Sequence, residues 1–446
     1  MVPLGDVQGL ILRSYGMDCA AFFLLRAVNA PAARRTLGSL SITPGTLWDK
    51  KPDFCINVGL TFDGLTALGL PPVSLRSFPQ EFVSDAFGRC AEVGDIGSCS
   101  AENWDHGLGE AGLHALLLLF AQRDEIRDAQ TALLRQTLLA DGGWSEIALL
   151  PGAVLPGGKA HFGYRDGFSQ PTIDCGLGNP FPDTQPIAPP GEFLLGYPSQ
   201  FDQLTYAVPV PDKLGRNGSF MVLRILEQDC AAFDTLLAQS QERYGIDREL
   251  LAAKIVGRWR NGTPLTLSPD SDSPAQPFTL SELNQYDYAP TDANPGVYDD
   301  RRGYRCPIGS HMRRANPRGA TIAGNGGSRH RIMRRGVPFG PPYDPSHPND
   351  GIKRGLLGLF IGVSIKDQFE FLMSEWINGS TFAPRIDGTT DPILGNSSEG
   401  ENKFVIPREN AAPIVISDFP SLVTTRGSAY TFLPSITGLH FIANLS

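Results

Sequence analysis

A chain of 446 residues can bury a large core and divide into two lobes. Its composition, 41% hydrophobic and 19% charged, is that of a folded protein, and a net charge of −9 argues against nucleic acid or an anionic membrane as the partner. The longest apolar runs, at 19–25 and 115–121, fall far short of a bilayer span.

In chain order, residues 8–12 and 21–27 read as strands, followed by a helix over 31–40. Residues 54–60 read as a strand running into a helix over 61–68, and 79–93 as a second helix. A buried strand over 113–120 precedes an amphipathic helix over 123–138, and 144–150 closes this half as a strand. The second half repeats the theme: a strand over 219–226, helices over 229–241 and 247–259, a strand over 356–365, a helix over 367–376 and a final strand over 439–445. Strands and helices mixed in this way predict an α+β fold. Two irregular stretches, about 151–201 and 262–350, are long enough to carry function.

Seven cysteines lie without CxxC spacing and read as reduced thiols. No basic flank, apolar stretch and cleavage site opens the sequence, so the expected compartment is cytoplasmic, although a secreted mature chain would read the same.

The sharpest break in composition lies between Arg301 and Arg335. Ten arginines (301, 302, 305, 313, 314, 318, 329, 331, 334 and 335) and two histidines share this stretch with no Asp, Glu or Lys. Guanidinium forks match carboxylates and phosphates. A solvated basic surface, a nucleic-acid site and a cofactor with carboxylate tails all fit such an island. The acidic remainder and the lack of interleaved aromatics argue against nucleic acid. His311 and His330 among the arginines favour haem, with its two propionates and an iron that accepts imidazole. No CxxCH is present, so the haem would be haem b, held non-covalently.

Three segments sharpen this reading: HFGYRDGFSQP (161–171) with its Gly163-x-x-Asp166-Gly167, CPIGSHMRRANPR (306–318) and RIMRRGVPFG (331–340). In this order they resemble the dye-decolorizing peroxidases, closest to the larger members of that family. VQGLILRSYG, KIVGRWRNGTPL, QFEFLMSEW, DPILG and RGSAYTFLPSI extend the resemblance over both halves. It implies two ferredoxin-like lobes with antiparallel sheets, over 1–190 and 191–446, with haem held mainly by the C-terminal lobe. It further implies an enzyme that reduces hydrogen peroxide and oxidises dyes, phenols or other aromatic reductants through a ferryl intermediate, best at acidic pH. A non-catalytic haem carrier or sensor on the same fold is the alternative.

On this resemblance His311 is the proximal iron ligand and Asp391 the acceptor that fixes its ring, against the plainer reading of an Asp-Pro turn. His330 and His161 are rival ligands. Asp166 is the distal proton shuttle and Arg334 the distal cation, with Arg335 its rival. Arg313 and Arg329 are candidates for the propionates, and Leu357, Leu359 and Ile361 for an apolar haem wall. Trp376 and Tyr343 are candidate surface aromatics for electron transfer from bulky reductants.

Overall fold

The computed structural model describes residues 1–445 with the exception of 166, 168–169, 177–186, 202, 275, 293–294, 320–328 and 397–401. Four strands build the first half: β1 (Cys19–Ala27), β2 (Phe54–Leu60), β3 (Ala115–Ala121) and β4 (Trp144–Ala153). They lie antiparallel in the order β4-β1-β3-β2, with helices Ala30–Ser39 after β1 and Asp124–Leu139 after β3. That is the β-α-β-β-α-β connectivity of a ferredoxin-like unit.

The second half contributes β5 (Ser219–Gln228), β6 (Met333–Arg334), β7 (Val337–Phe339), β8 (Gly355–Gly362) and β9 (Val423–Leu433). Their order β9-β5-β8-β6, with β7 also paired to β8, repeats the first pattern. Helices Cys230–Tyr244 and Arg248–Val256 follow β5, and two successive π-helical turns, Ile365–Glu370 and Leu372–Ile377, follow β8. The architecture is α+β with antiparallel sheets.

The local sequence explains these elements. β3 is apolar at every position and fully buried, as expected of a strand covered on both faces. Asn29, Asp229 and Asp247 accept hydrogen bonds from the first-turn N–H groups of their helices and fix where those helices start. All seven cysteines are free thiols, and among the described residues no helix is long and apolar enough to cross a membrane.

Among the elements that differ from the sequence reading, three bear on how the two halves meet. Residues 9–12 form a short helix, not a strand, because the Gln8 amide is drawn into the interior. Its nitrogen donates to the carbonyls of Val58 (2.8 Å) and Pro434 (2.9 Å), and its oxygen accepts from the Val58 N–H. The C-terminal stretch is a helix, Ile436–Ala443, whose first turn is capped by the Ser435 hydroxyl. Its apolar residues Ile436, Leu439 and Ile442 recur at helical rather than strand spacing. β9, the strand through which the halves meet, was not anticipated; its polar Thr424, Arg426 and Ser428 interrupt the apolar pattern.

One strand pair, Phe432 opposite Leu60, joins the strands of the two halves into a single nine-stranded sheet, and Gln8 bridges β2 to the end of β9 beside it. A second tie is ionic. Arg224 of β5 and Asp95 from the first half are both nearly inaccessible and bonded through both guanidinium nitrogens, with Thr425 accepting a further bond at 2.7 Å. Removing one partner strands a buried charge, whereas replacing both with apolar groups removes the desolvation cost as well. Asp95→Ala is expected to cost about 3–5 kcal/mol, read as a lower thermal unfolding midpoint. Asp95→Leu combined with Arg224→Met is expected to recover most of it.

Candidate active site

His311 opens a helix of five residues, His311–Ala315, too short to be stable alone. Its position comes from the two arginines that follow, both inaccessible to solvent. Arg313 donates to the Cys306 carbonyl (2.6 Å) and the Asp300 carbonyl (2.8 Å) and pairs with the Asp300 carboxylate (3.3 Å). Asp300 also accepts the N–H groups of Arg305 and Cys306, so one buried carboxylate organises the loop that leads to His311. Arg314 donates to the carbonyls of Trp376 (2.7 Å) and Thr389 (2.8 Å) and to the Thr389 hydroxyl (2.7 Å). Burial, offset only in part by the nearby Asp391 carboxylate, lowers the Arg314 pKa to about 10.

The same segment presents Asp391 to the imidazole. Both carboxylate oxygens lie 3.1 Å from His311 Nδ1, and Oδ1 also accepts the N–H groups of Ile393 and Leu394 at 2.8 Å. Burial alone would raise the Asp391 pKa. The adjoining His311, the Leu394 N–H and Arg314 together outweigh it and hold the carboxyl below its ordinary value. Nδ1 is thereby the nitrogen that carries a proton, which leaves Nε2 with its lone pair for a ligand.

His311 lines a cavity of about 250 Å³ whose surface is mostly apolar. Four arginines (165, 258, 331 and 334) and a second histidine, His330, also line it, with no Asp or Glu among the described lining residues. Burial lowers the pKa of both Arg331 and Arg258. The wall formed by β8 presents Leu356, Gly358, Leu359 and Phe360. Gly358 leaves room there, because a Cβ would come within 2.9 Å of the Phe360 ring. A cavity that pairs a carboxylate-held imidazole with apolar walls and several cations fits haem, whose propionates are anionic.

The distal half of the constellation is described in part. Asp166 lies outside the described residues. Its neighbour Arg165 lines the cavity, and Gln170 accepts the Arg334 N–H at 2.9 Å, tying the 161–171 segment to β6. Arg334 lines the cavity. Arg335 does not: its Nε donates to the Leu10 carbonyl.

Several expected residues are placed elsewhere. Arg313 is consumed by Asp300 and Cys306 and does not reach the cavity, and Arg329 is exposed outside its lining. Leu357 and Ile361 belong to the main core, while Leu359 is at the cavity wall. Apolar residues occupy both faces of β8, so alternation alone does not say which face meets a ligand. Trp376 is not a surface residue. It is 4% exposed and packs edge-on against His330, Phe371 and Phe382. Tyr343 is partly exposed, with the Arg354 guanidinium 5.6 Å from its ring.

His330 stacks on Phe371 at 3.6 Å with nearly parallel planes, and its Nδ1 bonds the Asp367 carbonyl. His161 lies outside the cavity lining, with Nε2 on the Phe339 carbonyl at 2.8 Å. Arg165, Arg258, Gly358 and Phe360 were not singled out from the sequence. Arg258 sits in the KIVGRWRNGTPL segment, the one signal that could have found it.

No family model matches the chain. A dye-decolorizing peroxidase of Mycena epipterygia is 30% identical over 99% of the chain and 87% of its own length. The multifunctional dye peroxidase DyP2 of Amycolatopsis sp. (strain ATCC 39116 / 75iv2) is 28% identical over 98% of the chain and 95% of its own length. Among solved structures, a crystal structure of DyP superimposes with a TM-score of 0.83 at 26% identity, covering 100% of this chain and 99% of that one. A DyP complex with 2,6-dimethoxyphenol gives 0.80 at 26% identity, covering 99% and 100%.

The β8 wall offers a direct test of the cavity. Gly358→Leu places a side chain on the cavity face and against Phe360. The expected product is a folded protein, by far-ultraviolet circular dichroism, that takes up added haem at least about tenfold more weakly in a visible-absorption titration.

Proposed function

The chain belongs to the dye-decolorizing peroxidase family and is a haem peroxidase, and from that premise we propose that it uses hydrogen peroxide to oxidise dyes, phenols and related aromatic reductants. The observation that carries the assignment of roles is the Asp391–His311 pair at the edge of a cation-lined cavity. His311 Nε2 would hold the iron of a non-covalently bound haem b. His330 is the rival, but its ring nitrogen is held by a carbonyl rather than a carboxylate. The negative charge of Asp391 makes His311 the stronger donor. Arg331 and Arg258, which line the cavity where Arg313 and Arg329 do not, would meet the propionates.

Haem, when bound, supplies redox chemistry: two oxidising equivalents taken from peroxide and returned to reductants one electron at a time. The protein moves the proton. Asp166 takes it from the inner peroxide oxygen and delivers it to the outer one, so that water leaves. The Arg334 guanidinium stabilises the negative charge that builds on the departing oxygen. This shuttle works only while Asp166 is ionised. A carboxylate is a weaker base than an imidazole and stays ionised at pH values where a histidine would already be protonated. Turnover therefore extends into acid.

His311→Ala is expected to abolish the ferric haem spectrum while His330→Ala keeps it; the reverse result would transfer the ligand role to His330. Asp391→Asn should leave haem bound but raise the iron reduction potential, read by spectroelectrochemistry. Asp166→Asn and Arg334→Leu should bind haem normally and slow the spectral change after one equivalent of peroxide by about 100-fold or more.

A further inference from the structure

The core where the two halves meet holds a second ionic cluster, and this one contains a phenol. Tyr430 of β9 is 1% exposed, and its hydroxyl donates to Glu370 Oε1 at 3.1 Å. Glu370 ends the first π-helical turn after β8 and is itself buried. Its two oxygens accept from Arg89 Nε (2.5 Å) and Nη2 (2.6 Å). The first half of the chain thus holds in place the carboxylate that meets the phenol of the second. Burial first, and the Glu370 charge next, push the Tyr430 pKa well above its ordinary value and keep the phenol protonated.

Aromatic rings connect this phenol to the cavity beside His311. Phe360 lines the cavity, and Phe369 lies 5.6 Å from Phe360 and 6.1 Å from Tyr430, centroid to centroid. Both spacings are those of packed aromatic pairs. Phe369 and Glu370 are successive residues, so the turn that brings the intervening ring also brings the carboxylate.

An oxidised phenol is a strong acid, so a buried tyrosine gives up an electron readily only where a base can take the hydroxyl proton. Tyr164 supplies the contrast. Its side chain lines the cavity, which Tyr430 does not, yet its hydroxyl is buried with no hydrogen-bond partner among the described residues. Tyr430 has the proton acceptor that Tyr164 lacks.

We propose that Tyr430 is an internal redox site, giving an electron to the peroxide-oxidised haem through Phe369 and Phe360 while its proton moves to Glu370. The O–H bond breaks, the haem gains one electron, and a neutral phenoxyl remains beside a protonated Glu370. An electron from a reductant, with the proton returned from Glu370, restores the phenol. This inference rests on the peroxidase reading and goes beyond it. One oxidising equivalent is held in the interior when no reductant is bound, where a second protein molecule cannot couple to it.

The test mixes the haem-loaded full-length protein with one equivalent of hydrogen peroxide and no reductant, freezes samples at intervals, and records electron paramagnetic resonance beside the haem band. The wild type is expected to show a tyrosine radical, identified by altered hyperfine splitting when ring-deuterated tyrosine is incorporated. Tyr430→Phe, which removes one oxygen and leaves the ring packing, should lose that signal while still binding haem. Glu370→Gln keeps the shape of the acceptor but cannot take up a proton, and should slow radical formation by at least about tenfold. Glu370→Asp, which returns a carboxylate, should restore part of it.

A tyrosine signal that survives Tyr430→Phe, or one that forms as fast in Glu370→Gln, would overturn the proposal. So would a haem band that responds to peroxide with no tyrosine radical. A haem band that does not respond to peroxide fails the peroxidase reading instead, and the proposal with it.

Discussion

Two buried guanidiniums hold His311, and the chemistry of the cavity depends on them. A helix of five residues carries too few backbone hydrogen bonds to fix a side chain. Arg313 and Arg314 replace that missing cooperativity with bonds to two separate segments, the loop at Asp300–Cys306 and the stretch from Trp376 to Thr389. Burying either arginine would be prohibitive alone. Each is offset by planar donors meeting fixed oxygens, and the geometry leaves little freedom for the imidazole between them.

The same segment that receives Arg314 delivers Asp391, so the clamp and the carboxylate partner are one construction. Because Asp391 is fully buried and accepts two backbone N–H groups, its oxygens cannot swing away from Nδ1. The ring orientation and tautomer follow from that immobility, and a lysine at position 314 would not reproduce the planar, multi-carbonyl bond pattern. The cavity draws on both halves of the chain, with residues 160–171 from the first and β6, β8 and the His311 helix from the second. The ties between the halves, at Gln8 and at Arg224–Asp95, therefore act on the site as well as on stability.

Much of this was legible in the sequence where a residue type leaves little choice. His311, Arg334 and Asp391 stand in ordered motifs, and the apolar runs of β1 and β3 admit no other reading. The arginine island was legible as a feature but not in its use. Only Arg331 and Arg334 of its ten reach the cavity, while Arg305, Arg313, Arg314, Arg318 and Arg335 donate to backbone carbonyls. Long irregular segments expose many carbonyls, and a guanidinium can satisfy several of them at once. Composition records the donors and is silent about acceptors supplied by the main chain. The face of β8 was hidden for a different reason, since a strand apolar on both sides carries no phase.

The 161–171 segment shows how a fold can serve two surfaces with one stretch of backbone. Gly163 adopts a left-handed conformation (φ +84°), and a Cβ there would meet the Arg260 guanidinium at 2.7 Å. That turn puts His161 in the lining of a second cavity, shared with Phe233 and Tyr343, Tyr164 and Arg165 in that of the cavity beside His311, and Phe162 in both. Arg260 closes it by donating to the Phe162 carbonyl, while the Arg165 N–H bonds the Arg260 carbonyl at 3.1 Å. Glycine is required here because a side chain would displace the arginine that pins the turn. A substitution at Gly163 therefore disturbs both cavities through one displaced guanidinium, although the residue itself lines only the second.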